Sequence, residues 1–203
     1  QGRYLLLARH GEAVSEEEGL TERGLRQAAL LGERLKGVPL ERVWHSPLAR
    51  GAETARLVAE RLGGVPLTVE EAAGDYVPYV PEREELPQDS AGLLLRFLGQ
   101  VTEAERTGGA RLAAEAERLF TGVTEGEADR YELVVTHSFL VAWLVRAALD
   151  TPKWRWIGLN HCNAALTVIR YTPGRPVSVM LWNDMAHLPE ELRWTGFPAG
   201  ARI

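Results

Sequence analysis

Three short stretches gather the residue types that handle anions. An apolar run, Leu5-Leu6-Leu7-Ala8, drops directly into Arg9-His10-Gly11-Glu12. A second, His45-Ser46-Pro47-Leu48-Ala49-Arg50, places a guanidinium about one helical turn past its serine. A third, Leu133-Val134-Val135, ends in Thr136-His137-Ser138. A guanidinium presents a planar fork of donors that matches phosphate oxygens. An imidazole is both a proton carrier and a nucleophile near neutral pH. Arg9, His10, Arg50 and His137 therefore suit a pocket for a phosphoryl group if the fold brings them together. Taken singly, each has a plainer reading: Arg9 as a surface ion pair, Arg50 paired with Glu53 or another acid of its helix, a histidine as a satisfied structural residue. His45, His161 and His187 are read as structural, and Glu12 with the run Glu16-Glu17-Glu18 as a solvated loop.

The elements around these stretches decide whether they meet. Tyr4 to Ala8 reads as a buried strand. A helix opens at Leu20-Thr21, with one face at Leu25, Ala28, Ala29, Gly32 and Leu35, and stops at Gly37 and Pro39. Glu41 to Trp44 reads as a second strand. Ser46-Pro47 reads as a cap and first residue of a helix with Leu48, Ala52, Ala55, Ala59 and Leu62 inward, closed by Gly63-Gly64. Pro66 to Val69 reads as a third strand. Residues 70–92, with Pro78, Pro81 and Pro87, read as an irregular excursion. Helices come next over Leu93 to Val101 and Ala110 to Phe120, parted near Thr107-Gly108-Gly109. Then come a strand at Glu132 to Val135, a helix from Phe139 to Leu149 capped by Ser138, and two late strands, Ala164 to Tyr171 and Val177 to Trp182. Strands alternating with helices imply an α/β fold with a largely parallel sheet. Such sheets bind ligands beyond the carboxyl ends of their strands, where the three stretches lie. Helix N-termini at Ser46 and Ser138 would add amide donors for an anion.

The 203 residues, 45% apolar and 25% charged, suit one domain over 1–203. A net charge of −5 speaks against a nucleic-acid partner. One cysteine, Cys162, fits a reducing compartment, and no signal peptide or membrane-length apolar run is visible, so a cytoplasmic location is expected.

The segments "LLLARHGE", "LTERGLRQA", "HSPLARGAETA" and "LVVTHS" together resemble the histidine phosphatase superfamily, the phosphoglycerate mutase-like fold. The resemblance implies a three-layer α/β/α sandwich and a phosphomonoester phosphatase needing no metal or other cofactor. It makes His10 the nucleophile that forms a phosphohistidine, with Arg9, Arg50 and His137 holding the non-bridging oxygens. Gly11 would let the backbone turn tightly beside the anion, and Ser138 would lie at the same site. The second half is similar to the mitochondrial-type Ser/Thr protein phosphatases of that superfamily, through "GGARLAAEAERLF", the run from Asp129 to Val177, and "NDMAHLP". Their acid-Gly-x-Pro-x-x-Pro arrangement, set on Pro78 and Pro81, puts the proton donor at Asp75, with Glu71 second. The membrane anchor and partner-binding segment of that branch are not found in this sequence. Mutase-type members have a longer stretch, with an Asn, between the counterparts of Gly11 and Leu20; the shorter loop here favours hydrolysis.

The substrate is expected to be a phosphorylated small molecule or a phosphoprotein, with no nucleic acid and no membrane as partner; a homodimer is an open option. Trp154, Trp156 and Trp182 suit an aromatic wall for substrate, or equally core or dimer contact. Three rival readings stand beside this one. A phosphoglycerate mutase-type transferase uses the same residues. A metal-dependent hydrolase would use His10, His137 and Asp75, but two arginines would repel the cation. A non-catalytic phosphate- or phosphoprotein-binding module would need no nucleophile.

Overall fold

The computed structural model describes residues 1–15 and 18–203. A six-stranded sheet runs in the order β3-β2-β4-β1-β5-β6. Its strands are β1 (Arg3–Arg9), β2 (Arg42–His45), β3 (Leu67–Val69), β4 (Arg130–Thr136), β5 (Leu166–Tyr171) and β6 (Ser178–Asp184). The first four are mutually parallel; β5 runs antiparallel to β1, and β6 antiparallel to β5. The helices are α1 (Glu22–Leu35), α2 (Ala49–Arg61), α3 (Ala91–Leu98), α4 (Glu103–Phe120) and α5 (Ser138–Ala148). Among the described residues no helix is long and apolar enough to cross a membrane.

Strand alternation explains the layers. Leu5 and Leu7 of β1 join a core with Val134, Phe120 of α4 and Leu140 and Leu144 of α5. Leu6 and Ala8 point the other way, into a core with Val135, Leu31 of α1 and Val58 of α2. A strand buried on both faces has no reason to alternate apolar with polar, which is why "LLLA" is continuous. Each leucine so buried contributes about 1.5–3 kcal/mol.

Several local expectations need correction. Ser46 does not cap α2: the helix begins at Ala49, and the Ser46 hydroxyl instead accepts the Leu48 amide at 3.1 Å. Ser138 is the first residue of α5, and His137 occupies the cap. The inner face of α2 is Arg50, Gly51, Thr54, Ala55, Val58 and Ala59, so Leu48, Ala52 and Leu62 lie only at its margins. On α1 the buried face is Gly24, Gln27, Ala28, Leu31, Gly32 and Leu35, with Leu25 exposed. Both rotations have one cause: glycine and polar residues take inward places where backbones approach closely or hydrogen bonds are made. The break expected at Thr107-Gly108-Gly109 is absent, and α4 runs unbroken through it. Residues 70–90 hold only short 3₁₀ turns, at Glu71–Ala73 and Arg83–Glu85, before α3 begins.

Candidate active site

Parallel pairing brings the three strand ends to one edge. Arg9 sits opposite Thr136 and His45 opposite Val135. The His10 amide donates to the Thr136 carbonyl, and the Ser46 amide to that of Val135, both at 3.0 Å. Just beyond lies a cleft of about 510 Å³ whose lining includes Arg9, His10, Arg50, Asp75, His137 and Ser138.

His10 is buried, and its Nδ1 donates to the Gly11 carbonyl at 2.7 Å. Burial, then the neighbouring His137 and Arg9, hold its pKa well below the ordinary imidazole value. The ring is therefore neutral at pH 7, with its proton on Nδ1 and an open lone pair on Nε2. The loop beneath it is tied down: the Gly11 amide donates to Thr54 Oγ1, which donates to the Arg50 carbonyl at 2.7 Å. His10 and the first turn of α2 are thus one mechanical unit.

His137 lies with its ring centroid 5.0 Å from that of His10. Its Nε2 meets Ser46 Oγ at 2.7 Å. With the Leu48 amide donating to that hydroxyl, the hydroxyl can in turn donate to Nε2, an arrangement that puts the imidazole proton on Nδ1. Burial, then Arg50 and Arg9, lower its pKa to about 3, so it too is neutral. His137 Nδ1 and Arg9 Nε are both buried without a hydrogen-bond partner. Unsatisfied donors are costly in a folded protein and mark a place where an acceptor is expected.

Arg9 is held by two backbone carbonyls, of His161 at 2.7 Å and Gly196 at 2.9 Å. His161 is fully buried and neutral, its pKa lowered to about 3 by burial, and its Nε2 meets Thr167 Oγ1 at 2.8 Å. Arg50 reaches Asp75 Oδ2 at 2.9 Å, and the same oxygen lies 3.8 Å from His137 Nδ1. Asp75 arrives on the excursion after β3, anchored by Thr136 Oγ1 donating to the Ala73 carbonyl.

Of the residues singled out from sequence, Arg9, His10, Arg50, Asp75, His137 and Ser138 come together. Glu71 is exposed and outside the cleft lining. Gly11 is needed for a different reason from the one expected: its φ is not positive, its amide is committed to Thr54, and a Cβ there would lie 2.7 Å from the Gly24 carbonyl of α1. The three tryptophans do not line the cleft; Trp156 is buried behind Phe139, with ring centroids 4.9 Å apart. His45 and His187 lie outside the cleft, and His161 touches it only through Arg9. Glu12 does line it, but its Oε1 accepts from Thr21 Oγ1 at 2.8 Å. Glu16 and Glu17, read as part of a solvated loop, lie outside the described residues.

Asn163 and Gly196 join the site without any motif to announce them. Asn163 Nδ2 donates to the His10 carbonyl at 3.0 Å. Gly196, at φ +73°, packs so closely on Asn163 Oδ1 and the Arg9 guanidinium that a Cβ would lie 2.5 and 2.7 Å from them. A glycine in a proline-rich tail gives no sign of this; only its contact with Arg9 does. Among the described residues, no group of three His, Cys, Asp or Glu side chains could hold a metal ion.

A strand-end His between two guanidiniums, on this sheet order, defines a class of protein. The chain belongs to the histidine phosphatase superfamily (branch 1), whose sequence model matches residues 5–185. It is 25% identical to the mitochondrial serine/threonine-protein phosphatase Pgam5 of Drosophila erecta, across 100% of this chain and 70% of that protein. The Drosophila melanogaster Pgam5 is 26% identical, across 98% of this chain and 68% of that one. Among solved structures, Bacillus stearothermophilus YhfR superposes with a TM-score of 0.66 at 26% identity, covering 91% of this chain and 98% of YhfR. Phosphoglycerate mutase from Plasmodium falciparum, at 18% identity and TM-score 0.63 over 94% and 96% of the two chains, shares the fold. The expected mostly parallel, phosphoglycerate mutase-like α/β architecture is the one observed.

Proposed function

We propose that this protein is a phosphomonoester phosphatase that works without a metal through a phosphohistidine on His10. The observation that carries the reading is the His10 ring, tethered at Nδ1 to Gly11 and lining one cleft with Arg9, Arg50 and His137. The Nε2 lone pair attacks phosphorus, and the ester P–O bond breaks. Arg9, Arg50 and His137 Nδ1–H hold the three non-bridging oxygens as charge spreads over them. Dividing one displacement into two lowers each barrier. Asp75 gives the leaving oxygen its proton. The phosphoryl group competes with Asp75 for Arg50. In the second half, Asp75 takes a proton from water as that water attacks phosphorus and the P–N bond breaks.

Hydrolysis is favoured over retransfer by the lining itself. Arg9 and Arg50 are the only lysine or arginine side chains among the described residues lining the cleft, and both are committed to the phosphoryl group. A phosphoglycerate carboxylate would find no further cation there. The test is a panel of small phosphates and phosphopeptides run on wild type and His10→Ala, with and without chelator. Turnover that survives chelator in wild type and disappears in a folded His10→Ala protein is expected. Full activity in the variant would overturn the assignment.

A further inference from the structure

Two adjacent glycines, Gly108 and Gly109, sit in the middle of the 18-residue helix α4. Glycine inside a helix is destabilising relative to alanine, so each position calls for a reason. Gly109 has one: a Cβ there would drive into the Val77 carbonyl, where the excursion crosses the helix. Gly108 has none of that kind, since among the described residues a Cβ there would meet nothing within 4 Å. Gly108 lines a groove of about 580 Å³.

That groove adjoins the phosphoryl cleft and shares Arg50, Asp75 and Phe139 with it. From this junction its walls are Leu48, Val77, Leu112 and the Phe139 ring, which Trp156 backs. Arg50 is the only lysine or arginine among its described lining residues, and Glu105 stands on the same lining. A leaving group departing past Asp75 and Arg50 therefore enters a channel whose remaining described lining is largely apolar, with no lysine or arginine and with the Glu105 carboxylate.

Building on the phosphatase reading above, we propose that this groove is the leaving-group subsite and that Gly108 determines its specificity. The substrates it fits are phosphomonoesters with an uncharged, apolar leaving group of aromatic size. Esters whose leaving group carries a second phosphate or a carboxylate are disfavoured, because Glu105 repels them and no second cation receives them.

Binding of non-hydrolysable phosphonates tests this independently of turnover. Methylphosphonate occupies the phosphoryl cleft alone, and 2-naphthylmethylphosphonate extends into the groove. Calorimetry on wild type is expected to give a Kd at least tenfold lower for the naphthyl compound. In Gly108→Leu that preference should shrink to less than twofold while the methylphosphonate Kd stays the same. Should circular dichroism show that Gly108→Leu does not fold, Gly108→Ala, which adds one methyl to open space, is expected to reduce the preference about threefold. No naphthyl preference in wild type, or an equal preference in the folded variant, overturns the proposal. Failure of both phosphonates to bind at all would instead count against the phosphoryl site itself. Loss of hydrolysis with the preference intact would separate the two readings the other way.

Discussion

At the residue scale, two carboxylates among the described residues, Glu12 and Asp75, line the cleft, and position decides between them. Glu12 is close to His10 in sequence, but its carboxylate accepts from Thr21 and faces Arg23 at 3.9 Å. Asp75 is bonded to Arg50 and lies near His137 Nδ1. General acid catalysis typically contributes 10²–10⁴-fold, and it matters most when the leaving oxygen is basic. Asp75→Asn is therefore expected to lower kcat/KM, which reports the first displacement, by about 100-fold or more for phenyl phosphate and by less than about tenfold for nitrophenyl phosphate. Glu12→Gln should lower both by similar small factors. Equal losses on the two esters in Asp75→Asn, or a leaving-group-dependent loss in Glu12→Gln, would move the role away from Asp75.

At the element scale, the parallel strands β1, β2 and β4 present the cleft residues, and hydrogen bonds from α2 and the tail hold them in place. Strand ends are legible in the sequence because apolar runs stop sharply at Arg9, His45 and His137. Helix faces are less so. Arg50, Thr54 and Gln27 are buried for hydrogen bonds rather than for apolarity, and a periodicity count passes over them. Glycine weakens helices, which makes Gly108-Gly109 look like a break; the unbroken α4 shows the pair serving space instead. The two glycines should respond oppositely to alanine. Gly108→Ala is expected to stabilise the fold by about 0.5–1 kcal/mol. Gly109→Ala should destabilise it by about 1–3 kcal/mol, because the Val77 carbonyl must move. Urea unfolding of both variants reads this directly, and a common sign would contradict the packing described.

At the scale of the whole molecule, three buried imidazoles share one electrostatic condition. Burial depresses the pKa of His10, His137 and His161, with the site arginines adding to it. Below about pH 6.5 the unfolded chain takes up protons at these positions while the folded one does not. Their contribution to stability is therefore complete well above pH 6.5 and is lost as pH falls below it, for His137 and His161 down to about 3, at up to about 1.4 kcal/mol per pH unit for each histidine. Urea unfolding should show a free energy that falls between pH 6.5 and pH 5, and a flat profile there would contradict the burial. The long-range order of the motifs is visible in the sequence, but the role of the tail is not: Gly196 closes on Arg9 from 187 residues away, a contact that no local pattern encodes. The excursion likewise offers Glu70, Glu71 and Asp75, and only the fold shows that Asp75 is the one that lines the cleft.

The central claim is a covalent bond between phosphorus and His10 Nε2. Rapid quenching of the protein with a ³²P-labelled aryl phosphate is expected to trap label that survives base, is released by acid, and maps to the peptide containing His10. The label should be absent from His10→Ala and should accumulate to the same level with chelator present. Turnover without any trapped label under single-turnover conditions, or label on another residue, would contradict the account.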